Sequence, residues 1–323
     1  MMSFGKTILA AMSAAAAMAF VAPSGAAAAY PEKPIRIIVP TGAGGAMDGI
    51  ARIFERAFEE HKILPQRMVV VNMDGAGGTI GTRAIKDAPP DGYTIGLWHN
   101  GLVTSAAMGV TDFDHSAFTI IGSTGFAVMG LAVKADGPID SFKKMIEMSK
   151  AQANSVKVAV NIGLPVHFIP LTVASKAGVE MRMVQVGGGA KRLASVLGGH
   201  TDVALFSVQE FLKYEPSGLK PINVFSKERA PLVPDVPTAV EMGVDVQATD
   251  SRIWLAPKDV PPDRIAYLVE AFKTAMSKPD VKERLEGFGI NSNFIDPVTL
   301  TEELDRTRAE VVPLVAKARA LPQ

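Results

Sequence analysis

The feature that most constrains this sequence is a unit of strand, glycine-rich turn and helix that occurs twice near its beginning. Residues 34–39 are β-branched and mostly apolar, which is typical of a strand buried on both faces of a parallel sheet. The turn at residues 41–46 is rich in glycine, and from Asp48 onward apolar residues recur at helical spacing. The same order repeats, with a strand predicted at residues 68–71, a glycine loop at residues 75–78 and a helix at residues 79–86. The repeated unit predicts an α/β fold.

The alternation of strands and helices continues after Gly125 and predicts a second lobe. Strands are predicted at residues 126–133, 156–160, 181–186 and 203–206, with helices at residues 141–151, 165–177 and 190–197. A strand at residues 253–256 is expected to return toward the first lobe, and helices follow at residues 261–276, 281–288 and 299–320. This alternation gives mostly parallel sheets with helices on both faces, so we predict two doubly wound α/β lobes.

The N-terminal segment, residues 1–29, is predicted to be a secretory signal peptide. Lys6 precedes the apolar run at residues 8–21, and a stretch of alanines precedes Tyr30. The apolar run is shorter than the roughly 20 residues that span a bilayer, which disfavours a membrane anchor. Because the chain has no cysteine, it also lacks a thiol for lipid attachment. We expect an exported protein that is not lipid-anchored.

Composition and motif spacing exclude several functional classes. Lys+Arg 33 and Asp+Glu 33 balance and form no long basic tract, which argues against nucleic-acid binding. Without cysteine there is no disulfide, thiolate metal site or cysteine nucleophile, and no two histidines have the spacing of a helical zinc motif. Ile80 occupies the position of the third glycine of a dinucleotide fingerprint. We expect no metal and no cofactor.

The two glycine turns are predicted to bind an anion. A glycine turn that leads into a helix lets backbone N–H groups approach a ligand, and the helix dipole favours negative charge there. A single such turn is often only a tight connection, but two turns facing each other would hold a carboxylate. The candidate residues are Thr41, Gly42, Ala43, Gly44, Gly45, Met47 and Asp48 in the first turn and Gly77, Gly78 and Thr79 in the second. We expect Asp48 chiefly to cap the helix and fix its loop.

Isolated polar residues offer further candidates. His99 and Asn100 follow a predicted strand, and His167 opens a predicted helix, so these side chains could face a cleft or serve in capping and packing. Asp202 precedes a strand and could face a ligand or form a turn. An alternative hypothesis makes His99, His167 and Asp202 the acid and base groups of a periplasmic isomerase or hydrolase. The nucleophile-elbow pattern of a serine hydrolase is not present in the sequence.

Several ordered motifs resemble those of the Bug family, the periplasmic solute receptors of tripartite tricarboxylate transporters. The matching segments are residues 34–40, 42–48, 75–81 and 90–94 with Asn72, then residues 197–202 and 234–238 with Glu241 and Gly243. The resemblance covers essentially the whole mature chain. It implies a type II periplasmic-binding-protein-like fold whose two lobes, joined by a hinge, close like a clamshell. Lobe 1 is then expected at residues 30–125 plus 254–323, and lobe 2 at residues 126–253.

The resemblance also implies a function. It suggests a non-catalytic, monomeric periplasmic receptor that captures a small organic anion for the membrane permease subunits of such a transporter. The two glycine turns would hold a carboxylate, and lobe 2 would select the rest of the ligand. The matching lobe 2 positions are Asn161, Gly163, His167, Gly188, Gly189 and Asp202. A sensor that presents its closed form to a signalling protein is a further alternative.

Two departures from the family pattern leave the ligand open among dicarboxylates, tricarboxylates, aromatic acids and amino acids. Residues 186–189 stand where the family commonly has Tyr-Lys-Gly-Gly, so an aromatic side chain and a cation are missing. Lys191 and Arg192, one helical turn later, could replace the charge or point to solvent. Met47 stands in place of a small hydroxylic residue, and its thioether would tolerate an alkyl or aromatic part of the ligand.

Overall fold

The computed structural model describes residues 30–320 and shows a mixed α/β protein whose two sheets share one long strand. The predicted signal peptide lies outside the described residues. In the first sheet, β1 (Ile35–Val39) lies between β2 (Met68–Asn72) and β3 (Thr94–Trp98), and all three strands are parallel. Between residues 30 and 320 the structure has no helix that is long and apolar enough to cross a membrane.

Three helices follow the strands of the first sheet. They are α1 (Ala46–Glu60), α2 (Thr79–Lys86) and α3 (Gly101–Ala107). Helix α1 forms where predicted because its apolar residues recur at helical spacing and bury one face, including Ile50 and Phe54, against the sheet. Helix α3 was not predicted from the sequence.

The shared strand β4 (Phe118–Lys134) and its partner β9 (Thr249–Pro257) link the two sheets. The first part of β4 pairs antiparallel with β9 as far as Val128, and Met129 onward pairs with β7 (Val203–Ser207) in the second sheet. The prediction that this strand begins at residue 126 was wrong. Gly125, after which a second lobe was predicted, instead lies with Gly122 at irregularities within a continuous strand, where both have positive φ.

The second sheet repeats the parallel arrangement of the first. Strand β5 (Lys157–Val160) lies between β6 (Arg182–Gln185) and β7, and the short β8 (Leu219–Pro221) pairs with the end of β4. The helices are α4 (Phe142–Ala151), α5 (Pro165–Ala177), α6 (Gly189–Leu197) and α7 (Val208–Tyr214). Because β4 and β9 run antiparallel to their neighbours, the sheets are mixed rather than mostly parallel as predicted.

The C-terminal part of the chain packs against the first sheet and against β4 and β9. These two strands link the sheets and form the hinge between the lobes. It comprises α8 (Pro262–Met276), α9 (Pro279–Gly287), β10 (Ile290–Asn291), α10 (Pro297–Val311) and α11 (Val315–Arg319). The single helix predicted at residues 299–320 is interrupted at Pro313, which has no N–H to continue the hydrogen-bond ladder. Trp254 of β9 packs on Phe54 and Phe272 at ring-centroid distances of 5.2 Å and 4.3 Å. This aromatic core fixes β9 to α1 and α8.

Candidate functional site

The two glycine loops leave the same edge of the first sheet and lie side by side. Strands β1 and β2 are parallel neighbours with Val39 opposite Asn72, so both loops begin at one level. The Asn72 side-chain amide donates a hydrogen bond to the Thr41 carbonyl at 3.1 Å. A Cβ atom placed on Gly42 would lie 3.8 Å from the Asp74 carboxylate of the second loop. The structure therefore brings the two predicted loops together. They lie side by side on one lobe and do not face each other across a cleft.

Asp48 holds the first loop and does not face the cleft. Its carboxylate accepts hydrogen bonds from the Gly44 N–H at 2.9 Å and from the Arg52 Nε at 3.0 Å and 3.1 Å. Burial by itself raises the pKa of Asp48, but the hydrogen bonds from Arg52, Gly44 and Asn72 outweigh it and hold the pKa below its usual value. The carboxylate is thus charged and fully engaged, which confirms the predicted loop-fixing role, whereas the predicted cap is not formed, since no side chain of the described residues caps the beginning of α1. The prediction that Asp48 also contacts the ligand was wrong.

The first turns of α1 and α2 offer backbone donors to a ligand. Gly45 and Gly78 precede these helices, and glycine has no side-chain group with which to cap them. Gly42, Ala43, Gly44 and Gly45 are all exposed to solvent. The Thr41 hydroxyl is buried beneath the loop and has no hydrogen-bond partner in the described part of the chain. The exposed N–H groups form a donor-rich surface suited to an anion, and the Thr41 hydroxyl lies buried outside that surface.

Met47 does not line this surface. Its side chain is 7% exposed and belongs to the core of the first lobe. The sequence placed it in the loop because it follows the glycines, but its position in the first turn of α1 turns the apolar side chain toward the sheet. The predicted contact between its thioether and the ligand was wrong.

The second loop needs glycine for both conformation and space. Gly75, Gly77 and Gly78 have φ values of 130°, 64° and 92°, in the region that L-residues with a Cβ rarely adopt. A Cβ on Gly78 would lie 2.2 Å from the Trp98 ring, whereas one on Gly77 would meet nothing within 4 Å. Gly77 is exposed and Thr79 partly exposed, so this loop presents its backbone to solvent beside the first.

His99 and Asn100 hold the local backbone at the end of β3. The His99 Nδ1 accepts a hydrogen bond from the Gly101 N–H at 2.9 Å, and burial lowers the pKa of His99. The Asn100 side chain donates to the Thr249 carbonyl at 3.3 Å and accepts from the Ser251 N–H at 3.1 Å. Asn100 therefore fastens the hinge strand β9 to the first lobe, and its amide is committed to that contact.

The second lobe directs two loops from the ends of β5 and β6 toward the first lobe. Asn161 accepts a hydrogen bond from the Gln185 side chain at 3.3 Å, and Gln185 accepts one from the Ile162 N–H at 2.7 Å. A Cβ on Gly163 would lie 3.4 Å from Val110 of the first lobe, so the lobes approach each other here. The predicted positions Asn161 and Gly163 thus lie at the face between the lobes.

His167 is buried beneath this loop. It is 0% exposed, and its Nδ1 accepts a hydrogen bond from the Gly163 N–H at 3.4 Å. Burial lowers its pKa to about 4, so the imidazole is neutral at pH 7. His167 supports the loop from within, and the prediction that it faces the ligand was wrong for this conformation.

The second of these loops, between β6 and α6, carries Gly188 and ends where α6 begins at Gly189. Gly188 is exposed and a Cβ on it would meet nothing within 4 Å, whereas one on Gly189 would lie 2.4 Å from Glu210. Arg192 is buried, donates from one terminal nitrogen to the Gly187 carbonyl at 2.8 Å and lies over the Phe206 ring. Lys191 is exposed with its stem beside Gly187. Arg192 therefore fixes the turn, and Lys191 is the free cation beside it.

Asp202 lies at the opposite end of the second sheet. Its carboxylate accepts a hydrogen bond from the Lys157 N–H at 2.8 Å, at the beginning of β5. Because β5 and β7 are parallel, this is the edge remote from Asn161 and Gly188. Its predicted contact with a ligand was wrong, and the acid–base trio of the enzyme hypothesis is not assembled. A sequence signal existed, since ligands of parallel sheets bind at the carboxyl ends of strands and Asp202 precedes its strand.

Sequence reasoning did not identify the residues that brace the loops. Arg52 was identifiable in principle, because it stands four residues after Asp48 on one helix face. Gln185 carried no signal, since its role depends on the pairing of β5 with β6. Within residues 30–320, no group of three or more His, Asp or Glu side chains is placed to hold a metal ion.

The family model for the tripartite tricarboxylate transporter family receptor matches residues 50–311. This chain belongs to that family. The receptors of this family are periplasmic solute-binding proteins, as the sequence motifs predicted. A curated relative, protein BugT of Bordetella pertussis, is 28% identical over 292 residues, covering 86% of this chain and 88% of the relative.

Solved structures of the same family confirm the predicted fold class. A TctC solute-binding protein from Polaromonas, solved without ligand, is 28% identical with a TM-score of 0.76 over 89% of this chain and 99% of its own. The periplasmic binding protein BugD is also 28% identical, with a TM-score of 0.74 over 91% and 100% of the two chains. MatC from Rhodopseudomonas palustris, solved with bound malate, is 24% identical with a TM-score of 0.73 over 88% and 100%, and shares the fold.

Proposed function

We propose that this receptor captures a small organic carboxylate outside the cytoplasm and delivers it to the membrane permease of a tripartite tricarboxylate transporter. The observation that carries the proposal is the pair of adjacent, exposed glycine loops, each leading into a helix that glycine leaves uncapped. Their N–H groups favour an anion over a neutral or cationic ligand.

The contact surface that we propose comprises backbone from both lobes. Lobe 1 contributes the two glycine loops, and lobe 2 contributes the turns that carry Asn161, Gly163, Gly188 and Gly189. We assign residues 30–125 plus 254–323 to lobe 1 and residues 126–253 to lobe 2, because the change of sheet within β4 falls close to this boundary.

Closure of the lobes on the ligand supplies the affinity and the signal to the permease. One helix N-terminus contributes about 0.3 to 2 kcal/mol toward an anion, whereas a micromolar dissociation constant corresponds to about 8 kcal/mol. The remainder must come from backbone hydrogen bonds and from burial between the lobes. A ligand that touches both lobes binds the closed form better, so it shifts the population toward that form. The permease then distinguishes loaded from empty receptor by its shape.

Glycine-to-alanine substitutions at positions that accept a Cβ test this site. Gly42→Ala and Gly188→Ala require no strained φ and place a methyl group 3.8 Å from the nearest atom and in open space, respectively. Gly287→Ala, also in open space but at the end of α9, is the matched control. Calorimetry with malate, citrate and benzoate identifies an acid that binds; malate is included because MatC holds it.

We expect Gly42→Ala and Gly188→Ala each to lower the affinity for that acid by about tenfold, because the methyl group blocks the approach of the acid to the backbone donors. Gly287→Ala should bind as the unaltered protein does. Unchanged affinity in both site variants, with melting temperatures intact, would exclude the loops as the anion site. Turnover of the acid during NMR observation would favour the enzyme hypothesis instead.

A further inference from the structure

A second cavity, of about 390 Å³, lies beside the hinge and away from the glycine loops. Its walls come from α3 and α10 on one side and from α5 on the other, with Thr249 and Ser251 of β9 between them. The glycine-loop residues, all within the described chain, do not line it. Its volume falls in the range of about 300 to 1,000 Å³ that is usual for small-molecule sites.

Much of the lining is aromatic or aliphatic. Phe126, which is partly exposed at the hinge, and the almost fully buried Phe168 and Phe225 are among the lining residues, together with the aliphatic Ile169 and Leu304. Faces of aromatic rings attract cations as well as apolar groups, through the negative charge of the π-system. The lining therefore suits a ligand with an apolar body.

Two polar groups in this lining lack partners. The Thr104 hydroxyl is on a residue that is 2% exposed, and it has no hydrogen-bond partner in residues 30–320. Glu303 is partly buried on α10, whose ion pairs are made by Asp305 and Arg308 instead. Burial raises the pKa of Glu303, although nearby Arg306 lowers it. Both groups would be satisfied by a donor brought into the cavity.

The cations that also line the cavity are at its rim. Lys227 and Arg306 are exposed, so their charges are solvated and screened. Glu303 is less exposed than either cation, and its carboxylate is therefore the less hydrated charge in the lining. A positively charged ligand group therefore gains more binding free energy beside Glu303 than a negative group gains beside Lys227 or Arg306.

We propose that this cavity is a second binding site, specific for a small primary amine with an aromatic or aliphatic body. The ammonium group lies against Glu303 and the body against the apolar lining, in which Phe126 is the most exposed aromatic residue. The site is distinct from the anion site of the proposed function and does not depend on it.

The second site is coupled to the movement of the lobes. Because its walls belong to both lobes, any relative rotation of the lobes changes its shape. In this structure the glycine loops and Gly188 are exposed, so the cleft between the lobes is open. The shape of the second cavity is therefore its shape in the open form. An amine that fills it stabilises the open form and weakens acid binding, and the acid weakens amine binding by the same factor.

Tryptamine is a suitable probe, with indole-3-acetate as a counterpart that carries a negative charge on a similar body. Calorimetric titration of the full protein should show tryptamine binding and no measurable binding of indole-3-acetate at this site. Glu303→Gln should lower the affinity for tryptamine by about tenfold, because a charge-assisted hydrogen bond is lost. Glu302→Gln, the exposed neighbour outside the cavity, should leave it unchanged. Thr104→Val, which keeps the shape but removes the hydroxyl, should also weaken tryptamine.

Three results of these titrations would overturn the proposal. They are no tryptamine binding at millimolar concentration, equal binding to the Glu303→Gln and Glu302→Gln proteins, or tighter binding of indole-3-acetate than of tryptamine. Tryptamine binding that is lost in Gly188→Ala would place the amine in the cleft and equally contradict it. None of these measurements needs the acid, so their failure is distinguishable from failure of the anion site.

Discussion

At the scale of single residues, the anion site is built by side chains that do not touch the ligand. Asp48, Arg52 and Asn72 form a chain of hydrogen bonds that ends on the Gly44 N–H and the Thr41 carbonyl. Such bracing holds the N–H groups of the first loop in place before the ligand arrives, which lowers the entropy lost on binding.

Removing the Asp48 carboxylate should loosen the first loop. Asp48→Ala leaves the Gly44 N–H and Arg52 without their acceptor, so we expect the free energy of unfolding to fall by about 1 to 3 kcal/mol. Urea denaturation measures this change. The control is Asp87→Ala, which removes a surface ion pair with Lys86 and should change stability by less than about 1 kcal/mol. Equal losses in the two variants would contradict the bracing role.

His167 should make stability depend on pH. Its pKa is about 4 in the folded protein against about 6.5 when unfolded, so the unfolded chain binds more protons between these values. The contribution of neutral His167 to the free energy of unfolding is therefore complete above pH 6.5. As the pH falls toward 4, about 3 kcal/mol of it is lost. Urea titrations at several pH values should show this loss, and His167→Gln should make it smaller; the loss that stays in this variant includes the contribution of His99, whose pKa burial also lowers. His200→Gln, at an exposed site, should keep the slope of the unaltered protein.

At the scale of elements, the beginning of α6 shows how two adjacent cations take different roles. A helix turns by about 100° per residue, so Lys191 and Arg192 cannot share an orientation. Arg192 points inward to the Gly187 carbonyl and the Phe206 ring, and Lys191 remains in solvent. Their adjacency in the sequence could not show which of them is free.

The two cations should respond differently to replacement by methionine, which keeps an unbranched apolar stem but carries no charge and no donor. Arg192→Met loses the hydrogen bond to Gly187 in a buried setting, and we expect a loss of about 1 to 3 kcal/mol in unfolding free energy. Lys191→Met should stay within about 0.5 kcal/mol of the unaltered protein, as surface substitutions usually do. Thermal denaturation compares the two. A larger loss for Lys191→Met would reverse the assignment.

At the scale of the whole molecule, the lobes touch where the Gly163 loop meets the segment after α3. A Cβ on Gly163 would lie 3.9 Å from the Met108 Cβ, close to the mean of about 3.8 Å for disulfides. The chain has no cysteine, so a pair introduced here would have no competing thiol.

The double variant Met108→Cys with Gly163→Cys therefore tests whether the lobes must move. In the oxidised form the lobes are held at their present separation, and we expect an acid identified by calorimetry to bind at least about tenfold more weakly than in the reduced form. The same sample after reduction is the control, since it carries both substitutions. Identical affinity in the two forms would show that binding needs no closure.

The sequence by itself determined the local units of this protein. The bounds of α2 and α5 were predicted to the residue, and the glycine loops were placed correctly, because periodicity, glycine content and capping act over a few neighbouring positions. The ordered motifs were also enough to predict the family.

Tertiary structure alone decided which residues face the cleft. The length of β4, the burial of Met47 and His167, and the placement of Asp202 at the far edge depend on strand direction and register across the sheets. Those pairings join residues that are tens of positions apart, as when Asn100 bonds to Thr249 and Ser251. Short-range patterns carry no record of such contacts, since the energy that selects them comes from packing of the whole chain.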